Sequence, residues 1–276
     1  MPEFNFPQAR LEDFREELSM RGLSEHTVRS YLTAVRQLFA RQGELSEQAL
    51  AGYKLFLMEH YKARTVNQRI RALNCYLEFR ELPQMKLSMI QIQHSSCLER
   101  MISLGDYEYL KQKLREDENY SYYFLVRFLA ATGVRVGELV NVMVEDVSQG
   151  HKDIFAKGNK TRRIYIPSAL SGEILKWLKS DGRKRGYLFL NQRGDPISPG
   201  GVRYQFKAFA ARYHLDPQVM HPHAFRHLFA KNFLDHNGDL SLLSDLLGHE
   251  DIETTRIYLK RTSLEQRQIV DRVIRW

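Results

Sequence analysis

Ala131-Thr132-Gly133-Val134-Arg135-Val136-Gly137-Glu138-Leu139 is the stretch on which the fold turns. Just upstream, Tyr120–Thr132 is a largely apolar run whose only charge is Arg127, and it reads as a buried helix. Gly133 breaks that pattern and tolerates a left-handed backbone, and Arg135 then opens a second helix. An arginine at a helix start after a glycine turn lies beside backbone N–H groups that favour an anion.

Working outward, a helix is expected at Leu104–Glu116, and helices recur at 172–179, 202–213, 223–236 and Leu240–Leu247, with a tail from Ser263. Short strands are expected at 153–156, 162–166 and 187–191, with Gly158-Asn159 as a turn. This half is therefore mainly α with a small antiparallel β-sheet. Residues 8–80 read as four helices. Ser24, Ser46 and Thr65 are the expected N-caps, and Gly22 and Gly43 the stops. Pro83 and the alternation Met89-Ile90-Gln91-Ile92-Gln93-His94 suggest an extended linker. The expected division is a helical domain over 1–82, a linker over 83–99 and a mixed α+β domain over 100–276, ending in a helix at 263–276.

A chain of 276 residues is long enough for two domains. No apolar run approaches the ~20 residues of a membrane helix, and Met1-Pro2-Glu3-Phe4 lacks the start of a signal peptide, so a cytoplasmic protein is expected. No further domain is expected ahead of the helical bundle. Cys75 and Cys97 lack CxxC spacing, which argues against a disulfide framework or a zinc site.

The net charge of +8 and a pI near 9.4 favour a polyanionic partner. Arg29, Arg36 and Arg41 meet no acid between His26 and Arg41, and the segment 152–163 is similarly basic. The fourth helix presents Arg64, Asn67, Gln68, Arg69 and Arg71, side-chain types that reach phosphates and base edges. A solvated polar face would have the same composition. The DNA contacts expected are Arg29, Arg36, Arg64, Asn67, Gln68 and Arg71 here, with Lys160 and Arg162 in the second half.

Three further segments complete the pattern: Ala156-Lys157-Gly158-Asn159-Lys160-Thr161-Arg162, His221-Pro222-His223-Ala224-Phe225-Arg226-His227, and Leu246-Leu247-Gly248-His249 followed by Thr254-Thr255-Arg256-Ile257-Tyr258. Together with the opening stretch they resemble, in order, the boxes of the tyrosine recombinases, the phage-integrase family that includes the Xer recombinases. The resemblance implies a helical core-binding domain followed by a catalytic domain, the two forming a C-shaped clamp on duplex DNA. Tyr258 would attack a phosphodiester to leave a 3′-phosphotyrosine, and Lys157, rather than Lys160, would protonate the departing 5′-oxygen. His249 would bond a phosphate oxygen, and paired inverted-repeat sites on two duplexes would be bridged by a homo-tetramer, with accessory proteins able to set direction.

The chemistry of the residues fits those roles independently. Arg135 and Arg226 offer planar donor forks that match a phosphate and stay charged. Tyrosine has a pKa near 10, so the attack needs a base, and His223 suits that role. Glu138, one turn beyond Arg135, can orient a neighbour. His221 and His227, which flank the box, are expected to be structural or to support the residues that contact substrate. Transfer to tyrosine conserves the energy of the phosphodiester bond, so no cofactor or metal is expected. The apolar tail, with Leu264, Ile269, Val270, Val273, Ile274 and Trp276, must pack either on its own domain or on a neighbouring copy. Two rivals remain open: a type IB topoisomerase-like enzyme, and a non-catalytic DNA-binding regulator on the same fold.

Overall fold

The computed structural model describes residues 8–91, 101–156, 160–249 and 251–259, together with 267, 270, 271, 273 and 274. The chain divides into two compact units, 1–95 and 96–276.

The first unit is a bundle of α1 (Gln8–Met20), α2 (Glu25–Gln42), α3 (Glu47–His60) and α4 (Ala63–Phe79). Ser24 and Ser46 accept the backbone N–H groups of Thr27 and Ala49, which answers the orphan donors at the starts of α2 and α3. Gly43 ends α2 in the left-handed conformation. Phe14, Leu18, Val35, Leu38, Tyr53, Ile70, Leu73 and Tyr76 fill the core between the helices. Each contributes about 1.5–3 kcal/mol on leaving water.

Two expectations change here. The fourth helix starts at Ala63 with Lys62 at its N-cap, so Thr65 lies within its first turn. The segment expected as a linker from residue 83 is, at its start, part of the bundle. Pro83–Met85 form a 3-10 turn, and Leu87 and Ile90 pack on the core. Asn74 bonds the backbone of Leu87, Asn67 that of Ile90, and Lys54 the carbonyl of Ser88. Period-two apolar residues satisfied by side-chain amides look the same in sequence as a solvated linker. Residues 92–100 lie outside the described residues.

The second unit contains α5 (Leu104–Glu116), α6 (Tyr120–Thr132), α7 (Val136–Leu139), α8 (Val144–Gln149), β1 (His151–Ala156), β2 (Lys160–Tyr165), α9 (Ser168–Ser180), α10 (Pro199–Arg212), α11 (Pro222–Asn237), α12 (Leu240–Leu247) and α13 (Glu253–Arg256), then a 3-10 turn at Ile257–Leu259. β1 and β2 pair antiparallel from His151↔Tyr165 to Ala156↔Lys160. The strand expected at 187–191 is absent. Tyr187 makes an isolated bridge to Met143, and Leu190 another to Pro196. Leu188 and Phe189 are buried, so burial rather than pairing accounts for their apolar character.

α11 packs against α6 and carries Phe225 and Leu228 into the main core. Its far end builds a smaller cluster in which Ala230 and Leu234 meet Leu243, Leu247 and Tyr258. Gly133 is required where it stands. Its φ is +62, and a Cβ there would overlap Phe229 and sit 3.0 Å from Leu247 Cδ2. The glycine lets α6, α11 and α12 approach one another, and the site forms at that junction.

Candidate active site

Arg226 is the centre of the site. It is 1% exposed, yet it is a full-length guanidinium on α11. Its Nη1 donates to the Gly133 carbonyl at 2.6 Å and its Nη2 to the Leu247 carbonyl at 2.7 Å. Nη2 also lies 3.0 Å from His249 Nε2, while Nε meets no hydrogen-bond partner among the described residues. One side chain thus ties the turn after α6 to the end of α12. Burial, together with the charges of Arg135 and Arg162, lowers its pKa to about 10, which leaves it a cation at neutral pH.

Arg135 is held from both sides. As the N-cap of α7 it has an extended backbone, and its N–H donates to Glu138 Oε2 at 2.8 Å. Its Nη1 donates to Glu138 Oε1 at 3.1 Å and its Nη2 to the Gly248 carbonyl at 3.1 Å. Glu138 also accepts Arg162 Nη2 at 2.5 Å. Burial pushes the Glu138 carboxyl up, but the Arg135 N–H and the guanidiniums of Arg162 and Arg135 outweigh it and hold it below the usual range. The carboxylate therefore fixes Arg135 while leaving much of its guanidinium exposed.

Arg162, expected to touch DNA, is occupied elsewhere. Its side chain is only 11% exposed, and Nη1 donates to the Leu246 carbonyl at 2.8 Å. It fastens β2 to α12 and lies against Gly248, where a Cβ would overlap its Cδ. Lys157 lies outside the described residues. Lys160 occupies the first position of β2, opposite Ala156.

His249 has both ring nitrogens engaged. Arginine can only donate, so His249 Nε2 accepts and the proton sits on Nδ1, which donates to Thr255 Oγ1 at 2.8 Å. Burial and the charges of Arg226, Arg135 and Arg162 lower its pKa to about 4. His249 here braces Arg226, whereas the sequence points to a direct phosphate contact.

Tyr258 is 2% exposed, and its hydroxyl lies 2.7 Å from His227 Nδ1. The sequence instead nominates His223 as its base or hydrogen-bond partner and gives His227 a structural or supporting place. His223 is exposed and shares a 450 Å³ cleft with Arg135, Arg203, His221 and Arg226. Although its surface is open to the cleft, the protein packed around the ring partly desolvates it, and this, followed by the charge of Arg226, depresses its pKa. Burial raises the Tyr258 hydroxyl to about 12, against the opposing pull of Arg226.

Across the first unit, Arg29, Arg36, Arg64, Gln68 and Arg71 are exposed on α2 and α4, which pack together. Gln68 donates to Ser30 Oγ across them at 3.0 Å. Asn67 differs: its amide accepts the Ile90 N–H and donates to the Ile90 carbonyl, both at 2.9 Å, so its polar groups are spent inside the protein. Arg69 also turns inward, over the Tyr61 ring.

Residues 102–265 match the model of the phage integrase family. The chain belongs to that family. Among similar proteins is the tyrosine recombinase XerA of Thermococcus kodakarensis, 28% identical over 272 residues, covering 93% of this chain and 92% of that one. The tyrosine recombinase XerC of Bacillus subtilis is 28% identical over 266 residues, covering 86% of each. The integrase of transposon Tn1549, solved in complex with circular intermediate DNA, superposes with a TM-score of 0.73 at 18% identity, over 96% of this chain and 99% of that one.

Within this phage integrase domain, two participants escaped the sequence reading, Thr255 and Arg203, while His227 is placed by the sequence only as a structural or supporting residue. Thr255 sits in the quoted Thr254–Tyr258 segment and could have been weighed as a bonding partner for His249. Arg203 carries no local signal, since only the fold of α10 brings it to the cleft.

Proposed function

We propose that this chain, a tyrosine-type site-specific DNA recombinase, cuts and rejoins duplex DNA through Tyr258. One observation carries the reading. Arg226 is buried at the meeting point of the Gly133 turn, Leu247 and His249, with Arg135 and Tyr258 gathered around the same junction. Two guanidiniums fixed before any substrate arrives are suited to charge that builds on phosphate oxygens during attack. Among the described residues the Arg226 Nε is a donor still to be used.

The phosphodiester enters the cleft lined by Arg135, His223 and Arg226. Tyr258 displaces the 5′-oxygen, which Lys157 protonates, and a 3′-phosphotyrosine results. The 5′-hydroxyl of a partner duplex reverses the step. The exposed face of α2 and α4, with Arg29, Arg36, Arg64, Gln68 and Arg71, grips the flanking duplex. Four copies on two inverted-repeat sites exchange strands in pairs, each docking its apolar tail on a neighbour, with accessory proteins free to impose direction. The work takes place in the cytoplasm. Val270, Val273 and Ile274, exposed in this single chain, are consistent with that docking.

The test uses suicide duplexes, nicked near candidate cleavage positions in DNA from around the native gene and incubated with protein in EDTA. Denaturing gels should reveal a 3′-linked covalent adduct with wild type and none with Tyr258→Phe. Specific, salt-sensitive binding without any adduct would favour a non-catalytic regulator. Relaxation of supercoils at arbitrary positions by the monomer would favour the topoisomerase reading.

A further inference from the structure

The Tyr258 hydroxyl meets a single hydrogen-bond partner among the described residues, His227 Nδ1 at 2.7 Å. The two rings are tilted, with centroids 5.4 Å apart. The tyrosine is 2% exposed, so little bulk water can reach the hydroxyl to take its proton. A catalytic base must be within hydrogen-bond reach of the proton it removes, and His227 meets that condition.

We propose that His227 is the base of the cleavage step, taking the Tyr258 proton on Nδ1 as the tyrosyl oxygen attacks phosphorus and returning it when the strand is rejoined. The inference rests on Tyr258 being the nucleophile. The step balances: the Oη–H bond breaks as the N–H bond forms, Oη–P forms as P–O5′ breaks, and the departing oxygen takes its proton from a separate acid. Rejoining runs the same transfers backwards.

The surroundings keep His227 ready for this. His223 lies against it with ring centroids 4.4 Å apart, and His221, Arg226 and His249 also face it. Burial and that field lower its pKa to about 4, so the ring is neutral and its lone pair available at physiological pH. The phenol keeps its proton at rest, and transfer is coupled to bond formation, when a phosphorylated oxygen loses its basicity. The imidazolium that forms lies next to the phosphate anion, whose charge offsets the cations around it. His223, exposed in the cleft beside Arg135, is left free to contact a phosphate oxygen.

The experiment takes the full chain and the mapped suicide duplex, in two forms: the ordinary phosphodiester, and one with sulfur at the bridging 5′ position. A thiolate departs without needing a proton, so the sulfur substrate removes the demand for an acid and keeps the demand for a base. His227→Asn places an amide near Nδ1 that can hold the hydroxyl but cannot take its proton. It should bind DNA like wild type and form adduct on the order of 10²–10⁴-fold more slowly on both substrates. Imidazole added to His227→Ala should restore part of the rate, which also decides the matter should the asparagine variant fold poorly. Lys157→Ala, by contrast, should recover on the sulfur substrate. Cleavage by His227→Asn at the wild-type rate would overturn the proposal and leave His227 as a positioning residue. Recovery of His227→Asn on sulfur would overturn it as well. If wild type formed no adduct on either substrate, the nucleophile assignment would fall, and His227 with it.

Discussion

Replacing Gly248 with alanine perturbs the joint between α12 and the hairpin at its tightest point. Gly248 has φ +62, and a Cβ there would overlap Arg162 Cδ and lie 2.6 Å from its Nε. Those atoms belong to the middle of the side chain, so Arg162 must leave its seat. The left-handed backbone alone costs an alanine about 1–2 kcal/mol. Displacing Arg162 sacrifices its bonds to Leu246 O and Glu138. Each bond to a charged group is worth about 1.5–3 kcal/mol, and solvent returns part of that. The expected total is about 4 kcal/mol. Gly238 is a matched control, because it also follows a helix with φ +71 but has nothing within 4 Å of the place a Cβ would take. Gly238→Ala should therefore cost only the backbone share. Urea unfolding followed by fluorescence measures both variants, with Arg162→Ala alone and combined with Gly248→Ala to close a cycle. In the Arg162→Ala background Gly248→Ala should add only its backbone share of about 1–2 kcal/mol, because the interactions of Arg162 are already gone. Cleavage should also fall in Gly248→Ala, since Glu138 loses one of its anchors. Equal losses for the two glycine variants, or strict additivity with Arg162→Ala, would show that Gly248 does not act through Arg162.

Other outcomes follow from the same geometry. His227 and His249 each have a pKa near 4 when folded, against an ordinary 6.5, so the unfolded chain gains protons that the native one refuses. Their stabilisation is complete above about pH 6.5 and is lost as pH falls towards 4, by up to about 3 kcal/mol each before solvent screening. Urea midpoints at pH 7.5 and 5 should show this, and His249→Asn should flatten the dependence. Asn67→Ala should destabilise the first unit by about 1–3 kcal/mol through the unpaired Ile90 backbone, with DNA affinity little changed in the folded fraction. Arg36→Ala and Arg71→Ala should do the reverse, leaving melting unchanged and lowering the salt slope of DNA binding by roughly one each. Tyr258→Phe should bind DNA normally, form no adduct, and lose about 0.5–1.5 kcal/mol with its hydrogen bond to His227.

Features that depend on neighbours a turn or two away could be read from the residue order. Ser24 and Ser46 cap helices, Gly43 ends one, and the apolar stripes of α2 and α4 point inward, because capping and periodicity are local properties of the backbone. The hairpin, the mainly helical class and the ordered boxes around Arg135, Arg226 and Tyr258 were legible for the same reason. The exceptions were also local: at 187–191 a short apolar run could be a strand or merely buried, and α8 is too short to show a period.

Which polar group each site side chain spends itself on emerged only from the folded packing. Arg162 and Arg36 are the same residue type in basic segments, but one is half-buried and bonded to Glu138 and Leu246 while the other faces solvent. Asn67 and Gln68 are adjacent on α4, yet the first closes on Ile90 and the second remains at the surface. His223 and His227 lie one turn apart on α11, and the packing of the 3-10 turn beneath that helix gives the second, not the first, to Tyr258. A hydrogen bond needs its partner within about 3 Å. For groups far apart in the chain, that distance is set by how the core closes and not by the order of the residues.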